Sequence, residues 1–152
     1  MKILVINGPN LNLLGKRETH IYGKMTLAKL EQSIINYGKD HGISIHCMQS
    51  NLEGELIDVL QNAKHRYDGI ILNAGGYTHT SVALRDAAST VSLPIIEVHI
   101  SNPAAREPFR HTSLLSSVCV GTISGFKEYS YFLAVEFFRM KYFRKNRVYK
   151  KI

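Results

Sequence analysis

Five short runs of aliphatic and β-branched residues punctuate the chain, and a helix-like stretch follows each one. They are Lys2–Ile6, Ile43–Met48, Gly69–Asn73, Pro94–Ile100 and Val118–Ile123. Alternate positions within these runs are apolar on both sides, as expected of strands buried on both faces of a parallel sheet. The intervening segments have the 3.6-residue spacing of amphipathic helices. Thr26 can cap a helix whose apolar face is Leu27, Leu30, Ile34 and Tyr37, and Gly42 can stop it. Ser50 and Glu53 have capping-box spacing ahead of a helix with Leu56, Leu60 and Ala63 on one side. A third helix is expected from about Thr80 to Ala88. A last one begins near Lys127 and places Tyr131, Val135, Phe138 and Tyr142 on one face. The segment from Ser101 to Ser117 has room for one short helix.

Strands alternating with helices, joined by right-handed crossovers, specify an α/β fold. The expectation is a flavodoxin-like doubly wound five-stranded parallel sheet with helices on both faces. No linker, repeat or low-complexity segment divides the 152 residues, so a single domain is expected. No apolar run approaches the roughly 20 residues that span a bilayer, and Lys2 leads into only a few apolar residues before Asn7-Gly8-Pro9, unlike a signal peptide. A cytoplasmic location is the expectation, with Cys47 and Cys119 as buried, reduced thiols in strand-like segments.

The net charge of +7 is localised. Arg139, Lys141, Arg144, Lys145, Arg147, Lys150 and Lys151 fall in the last 14 positions with no acid among them, and the rest of the chain carries 12 charges of each sign. A basic tail over 139–152 suits a solvated, frayed terminus. The alternative is a patch that binds nucleic acid or another anionic surface.

Polar residues gather where the strands end. Asn7-Gly8-Pro9-Asn10 follows the first run and opens a connection of about 18 residues, far longer than the usual 2–6. Asn73, Gly75-Gly76 and His79 follow the third run; Glu97, His99, Ser101 and Asn102 end the fourth. In open α/β sheets ligands bind outside the carboxyl ends of the strands, so three polar clusters on that edge indicate a pocket.

These clusters lie in longer motifs. They are Asn7-Gly-Pro-Asn-Leu-Asn-Leu-Leu-Gly-Lys-Arg-Glu18 with Tyr22-Gly23, Asn73-Ala-Gly-Gly-Tyr-Thr-His-Thr-Ser-Val-Ala-Leu-Arg-Asp86, and Glu97-Val-His-Ile-Ser-Asn102 with Arg106-Glu-Pro-Phe-Arg110. In this order they resemble the type II 3-dehydroquinate dehydratase family, over about residues 2 to 138. The resemblance implies a cofactor-free, metal-free lyase of the shikimate route. It would convert the small-molecule substrate 3-dehydroquinate to 3-dehydroshikimate in a dodecamer built of trimers. Gly76 stands where the family usually has alanine, Pro108 sits inside the Arg106–Arg110 motif, and the tail from about Arg139 has no clear family counterpart.

The resemblance also implies roles. Tyr22 would be the base that takes a proton from the carbon beside the ketone. A free tyrosine titrates near 10, so half-ionisation at pH 7 needs about 3 units, or ~4 kcal/mol. A unit positive charge at about 4 Å, at an effective dielectric near 20, supplies on the order of 4 kcal/mol. Arg17 would be that charge, opposed by desolvation of the phenolate. Asn10 would hold a water or donor at the enolate oxygen. His99 would protonate the departing hydroxyl, with Glu97 on the same side of the strand to orient it. Asn73 and His79 would bond substrate hydroxyls, the Ile100 and Ser101 amides would meet the carboxylate, and Arg110 would pair with a ring hydroxyl or charge. Asp86 would reach the pocket of a neighbouring subunit. A flavin- or nucleotide-binding protein is the rival reading, but neither common Gly-rich phosphate motif is present. Nucleic-acid binding through the tail is the other rival, without a zinc-finger or RNA-recognition signature.

Overall fold

The computed structural model describes residues 1–16 and 25–148, with side chains to Lys141. Arg17 and Tyr22 therefore lie outside the described residues. Among the described residues five strands form one parallel sheet: β1 (Lys2–Asn7), β2 (Ser44–Gln49), β3 (Gly69–Asn73), β4 (Ile95–His99) and β5 (Gly121–Ser124). Their order is β2-β1-β3-β4-β5, the doubly wound flavodoxin-like arrangement. The helices are α1 (Leu27–Asp40), α2 (Glu53–Gln61), the single turn α3 (Tyr77–Thr80), α4 (Val82–Thr90) and α5 (Tyr129–Val148).

The two-residue period of the strands divides the core. Ile3 and Val5 of β1, Ile71 of β3, and Ile96 and Val98 of β4 pack with Leu30 and Ile34 of α1 and with Tyr131, Val135 and Phe138 of α5. Leu4, Ile6, Ile70, Leu72 and Ile95 face the other way, against Leu56 and Leu60 of α2 and Leu84, Ala87 and Ala88 of α4. Each fully buried aliphatic side chain contributes about 1.5–3 kcal/mol, so both faces of every central strand stabilise the sheet.

Several boundaries differ from the sequence expectation, each for a local reason. The Ser50–Glu53 box does not form. The Ser50 hydroxyl accepts the Leu52 N–H at 2.9 Å and donates to Glu55, and α2 begins at Glu53 after Leu52. The third helix starts at Val82, because Ser81 Oγ accepts the Leu84 N–H at 2.8 Å, and the separate turn α3 precedes it. Helix α5 starts at Tyr129, two residues past Lys127, whose φ is 51°. Strand β5 starts at Gly121. Val118 instead ends a 3-10 turn, Ser116–Val118, anchored by Ser113 Oγ, which accepts the N–H groups of Leu115 and Ser116. The segment between β4 and β5 thus holds three short 3-10 turns, Pro103–Ala105, Pro108–Arg110 and Ser116–Val118.

The cysteines also differ. Cys47 lies in β2 but Cys119 falls before β5, and both are half-buried. Burial pushes both thiols up to about 12, which keeps them protonated and unreactive. The basic C-terminal stretch begins within α5. The α5 backbone stays helical through Val148, and Arg139 pairs with Glu136 at 2.7 Å. No helix among the described residues is long and apolar enough to cross a membrane.

The winding of the sheet reverses between β1 and β3, and their carboxyl ends open a crevice there. Asn7 and Asn73 are paired across it, and the Gly8 N–H donates to the Asn73 carbonyl at 2.7 Å. A Cβ on Gly8 would stand 2.5 Å from the Ala74 carbonyl oxygen, so the two loops can approach this closely only with glycine.

Candidate active site

A pocket of about 150 Å³ occupies this crevice. A water needs on the order of 10–15 Å³, so the space suits one small polar ring. Three chain segments converge on it: the loop after β1, the loop after β3, and the end of β4 with the turns that follow.

The end of β4 carries the most organised charge. Glu97 and His99 are separated by one residue on the strand, so both side chains leave the same face. Glu97 is 0% exposed and His99 8%. His99 Nε2 donates to Glu97 Oε1 at 2.9 Å. The same carboxylate accepts the hydroxyls of Ser113 at 2.7 Å and Thr122 at 3.0 Å. Burial alone would push the Glu97 carboxyl up. The bonds from His99, Ser113 and Thr122 more than offset this and hold it below its usual range. Glu97 is thus a buried carboxylate that fixes the imidazole ring. With Nε2 engaged, Nδ1 is the nitrogen left for a bound molecule.

His79 lies nearly parallel to His99, with ring centroids 6.4 Å apart and planes 16° apart. Its Nδ1–H donates to the Thr112 carbonyl at 2.8 Å, which fixes the ring and leaves Nε2. The β4–β5 pairing stops at His99 and Ser124, so Ile100 and Ser101 lie just past the ladder, and both line the pocket. Arg110 also lines the pocket, donates from Nε to Glu107 at 2.8 Å, and covers the Phe109 ring.

Asn73 lines the pocket at the end of β3, but its side chain is already committed inward. Its Nδ2 donates to the Tyr131 hydroxyl at 2.8 Å and its Oδ1 accepts the Gly75 N–H at 3.2 Å. Tyr131 donates onward to Asn7 Oδ1 at 2.7 Å, and Asn7 Nδ2 donates to Glu31 at 3.1 Å. Tyr131 is 0% exposed, and burial raises its hydroxyl well above the usual range, so it serves as a neutral link. Burial also raises Glu31, against the opposing bond from Asn7.

The structure therefore brings Asn10, Asn73, His79, His99, Ile100, Ser101 and Arg110 to one pocket. Asp86 is not among its lining residues. It lies on α4 with its side chain 65% exposed, 3.3 Å from Arg85. Gly76 has an ordinary helical backbone and open space where a Cβ would be, so the alanine usual at this place would fit.

The family model Dehydroquinase class II matches residues 1–139. The chain belongs to that family. A 3-dehydroquinate dehydratase of Nitratiruptor is 53% identical over 135 residues, which cover 89% of this chain and 86% of the relative. The crystal structure of the type II dehydroquinase from Butyrivibrio crossotus superposes with a TM-score of 0.89 at 50% identity, covering 90% of this chain and 96% of the other. That of Propionibacterium acnes gives 0.89 at 38% identity, covering 91% and 96%. The basic residues beyond 139 fall outside the class II dehydroquinase match.

Sequence reasoning did not single out four residues that this class II pocket uses. Arg106 lines it and contacts Glu107 at 3.3 Å; its place four residues before Arg110 was a readable signal. Ser113 and Thr122, which hold Glu97, and Tyr131, which holds Asn73, carry no local motif.

Proposed function

We propose that this chain dehydrates 3-dehydroquinate to 3-dehydroshikimate, the reaction its relatives are named for, and that it works in the cytoplasm as a dodecamer built of trimers. The observation that carries the reaction is the buried Glu97–His99 pair at a pocket that Asn10 also lines. In this reading the Tyr22 phenolate, kept ionised by Arg17, takes the proton from the carbon beside the ketone. The electron pair moves onto the ketone oxygen, where Asn10 holds a water or donor to the enolate. The enolate then collapses and the carbon–oxygen bond to the neighbouring hydroxyl breaks. His99 delivers a proton from Nδ1, because Nε2 is held by Glu97, and water leaves.

The second Nδ2–H of Asn73, beyond the one held by Tyr131, and His79 bind ring hydroxyls, Ile100 and Ser101 offer amides to the substrate carboxylate, and Arg110 pairs at the rim. An Asp86 that is exposed and away from its own pocket is what a contribution to a neighbouring subunit requires. The flavin, nucleotide and nucleic-acid readings have no comparable support. The test is purified protein with 3-dehydroquinate and no added cofactor or metal, followed by enone absorbance. Tyr22→Phe and His99→Ala should each slow turnover by at least ~10²-fold. No enone from the wild type would overturn the reaction, and wild-type rates in both folded variants would overturn the roles.

A further inference from the structure

Asn10 has φ 67° and ψ −5°, a left-handed backbone conformation. Asparagine enters this region more readily than most residues, but it still needs its surroundings to hold it there. Pro9 beside it has no N–H, so the turn has one fewer donor with which to fix itself. The holding group comes from another loop. The Asn10 N–H donates to Asn51 Oδ1 at 3.0 Å, just past β2. Gln49 Nε2 donates to that same oxygen at 3.0 Å and also to the Gly8 carbonyl at 3.2 Å, so the clamp grips the chain on both sides of Pro9. Asn51 is itself fixed from behind, because the Tyr77 hydroxyl donates to its backbone carbonyl at 3.1 Å. One residue thus ties together the loops that leave β1, β2 and β3.

The side chain of Asn10 takes no part in this. It makes no capping bond to the 3-10 turn Leu11–Leu13, although the backbone carbonyl of Asn10 accepts the Leu13 N–H at 3.0 Å. Asn10 lines the pocket; Asn51 does not. Glycine at position 10 would adopt the same backbone unaided, but it has no amide to offer a substrate. The arrangement uses a less permissive residue for its side chain and an external acceptor to hold its backbone.

We infer that Asn51 is a positioning residue: its side-chain carbonyl holds the Asn10 backbone in the left-handed conformation from which the Asn10 amide meets the developing enolate oxygen. This rests on the reaction proposed above. Asn51 is exposed, so its replacement leaves the core intact. Asn51→Ala removes the acceptor and should lower kcat by ~10-fold, the loss that accompanies one hydrogen bond of ordinary strength. KM should stay within about 3-fold, because the lost interaction is realised mainly in the transition state. Asn51→Asp keeps an oxygen for the same N–H and should restore kcat to within about 3-fold of wild type. In an Asn10→Gly background, Asn51→Ala should cost no more than about 2-fold, since glycine needs no clamp.

Amide hydrogen exchange gives a readout free of substrate: the Asn10 N–H should exchange faster in Asn51→Ala and stay protected in Asn51→Asp. Wild-type kcat in Asn51→Ala, no rescue by aspartate, unchanged exchange at Asn10, or additive losses in the glycine background would each overturn the inference. If the wild type does not act on 3-dehydroquinate at all, the reaction fails while the exchange measurement still decides whether Asn51 holds Asn10.

Discussion

Glu97→Gln separates the charge of Glu97 from its hydrogen bonds. Glutamine can place its carbonyl oxygen where His99 and Ser113 donate, and its NH2 toward Thr122, whose hydroxyl can turn to accept. Shape and bonding survive and only the negative charge goes. A bare Coulomb figure for unit charges about 4 Å apart, at an effective dielectric near 20, is ~4 kcal/mol, which sets a ceiling near 10³-fold. A more realistic difference comes from the bonds themselves: about 1.5–3 kcal/mol when one partner is charged, against about 1 when neither is. The loss should therefore be about 0.5–2 kcal/mol of imidazolium stabilisation, or roughly a 2- to 30-fold fall in kcat.

The assay is kcat against pH in the folded variant, with circular dichroism as the check on folding. The acid side gives a second readout. The Glu97 carboxyl is depressed in the folded state, so its contribution to stability is present above the unfolded value near 4.5 and is lost as pH falls through the lower folded value. Wild type should lose stability in that acidic window, and Glu97→Gln should lose less. Glu97→Ala, by contrast, removes the acceptor of three donors, of which only His99 is buried, and should cost about 1–3 kcal/mol of stability. A folded Glu97→Gln enzyme with wild-type kcat across the neutral range would refute the argument that this carboxylate charge supports His99.

Other perturbations test the scaffold and the assembly. Tyr131→Phe leaves Asn73 Nδ2 and Asn7 Oδ1 without their shared hydroxyl, each orphan costing about 1–3 kcal/mol, so urea unfolding should show a loss of about 2–6 kcal/mol; an unchanged midpoint would remove the network from the account of the fold. Gly8→Ala places a methyl against the Ala74 carbonyl and should destabilise by about 1–3 kcal/mol while lowering kcat, as read by thermal melting and the enone assay. Mixing Asp86→Ala with Tyr22→Phe protein should regain activity if one subunit completes its neighbour's pocket; proven subunit exchange with no regained activity would count against a shared site.

The fold was largely legible because its strongest determinants are local and periodic. Double-sided apolar strands, the Thr26 cap and the left-handed Gly42 all act within a few residues of where they are read. Boundaries failed where one polar side chain had two acceptable geometries. Ser50 could serve a box with Glu53 or a turn with Leu52 and Glu55, and only the position of the helix axis decides between them. The candidate site divides in the same way. Glu97 and His99 were readable as a pair because a strand repeats every two residues, whereas Asn51 was not, because its partner Asn10 lies 41 positions away.

Tyr131 shows what a sharper reading could use. It belongs to the helical stripe continued by Val135 and Phe138, so spacing alone assigns it to the core, and there it is. Spacing gives no reason for tyrosine rather than phenylalanine. A phenolic hydroxyl taken out of water must find a partner or cost stability. Its presence in the middle of an apolar stripe therefore requires a second polar group buried on the sheet opposite. The strand ends offer few such groups, and Asn7 and Asn73, paired across the switch point, are where α5 meets that requirement. The tyrosine hydroxyl thus marks, from the far end of the chain, the two strand termini between which the pocket opens.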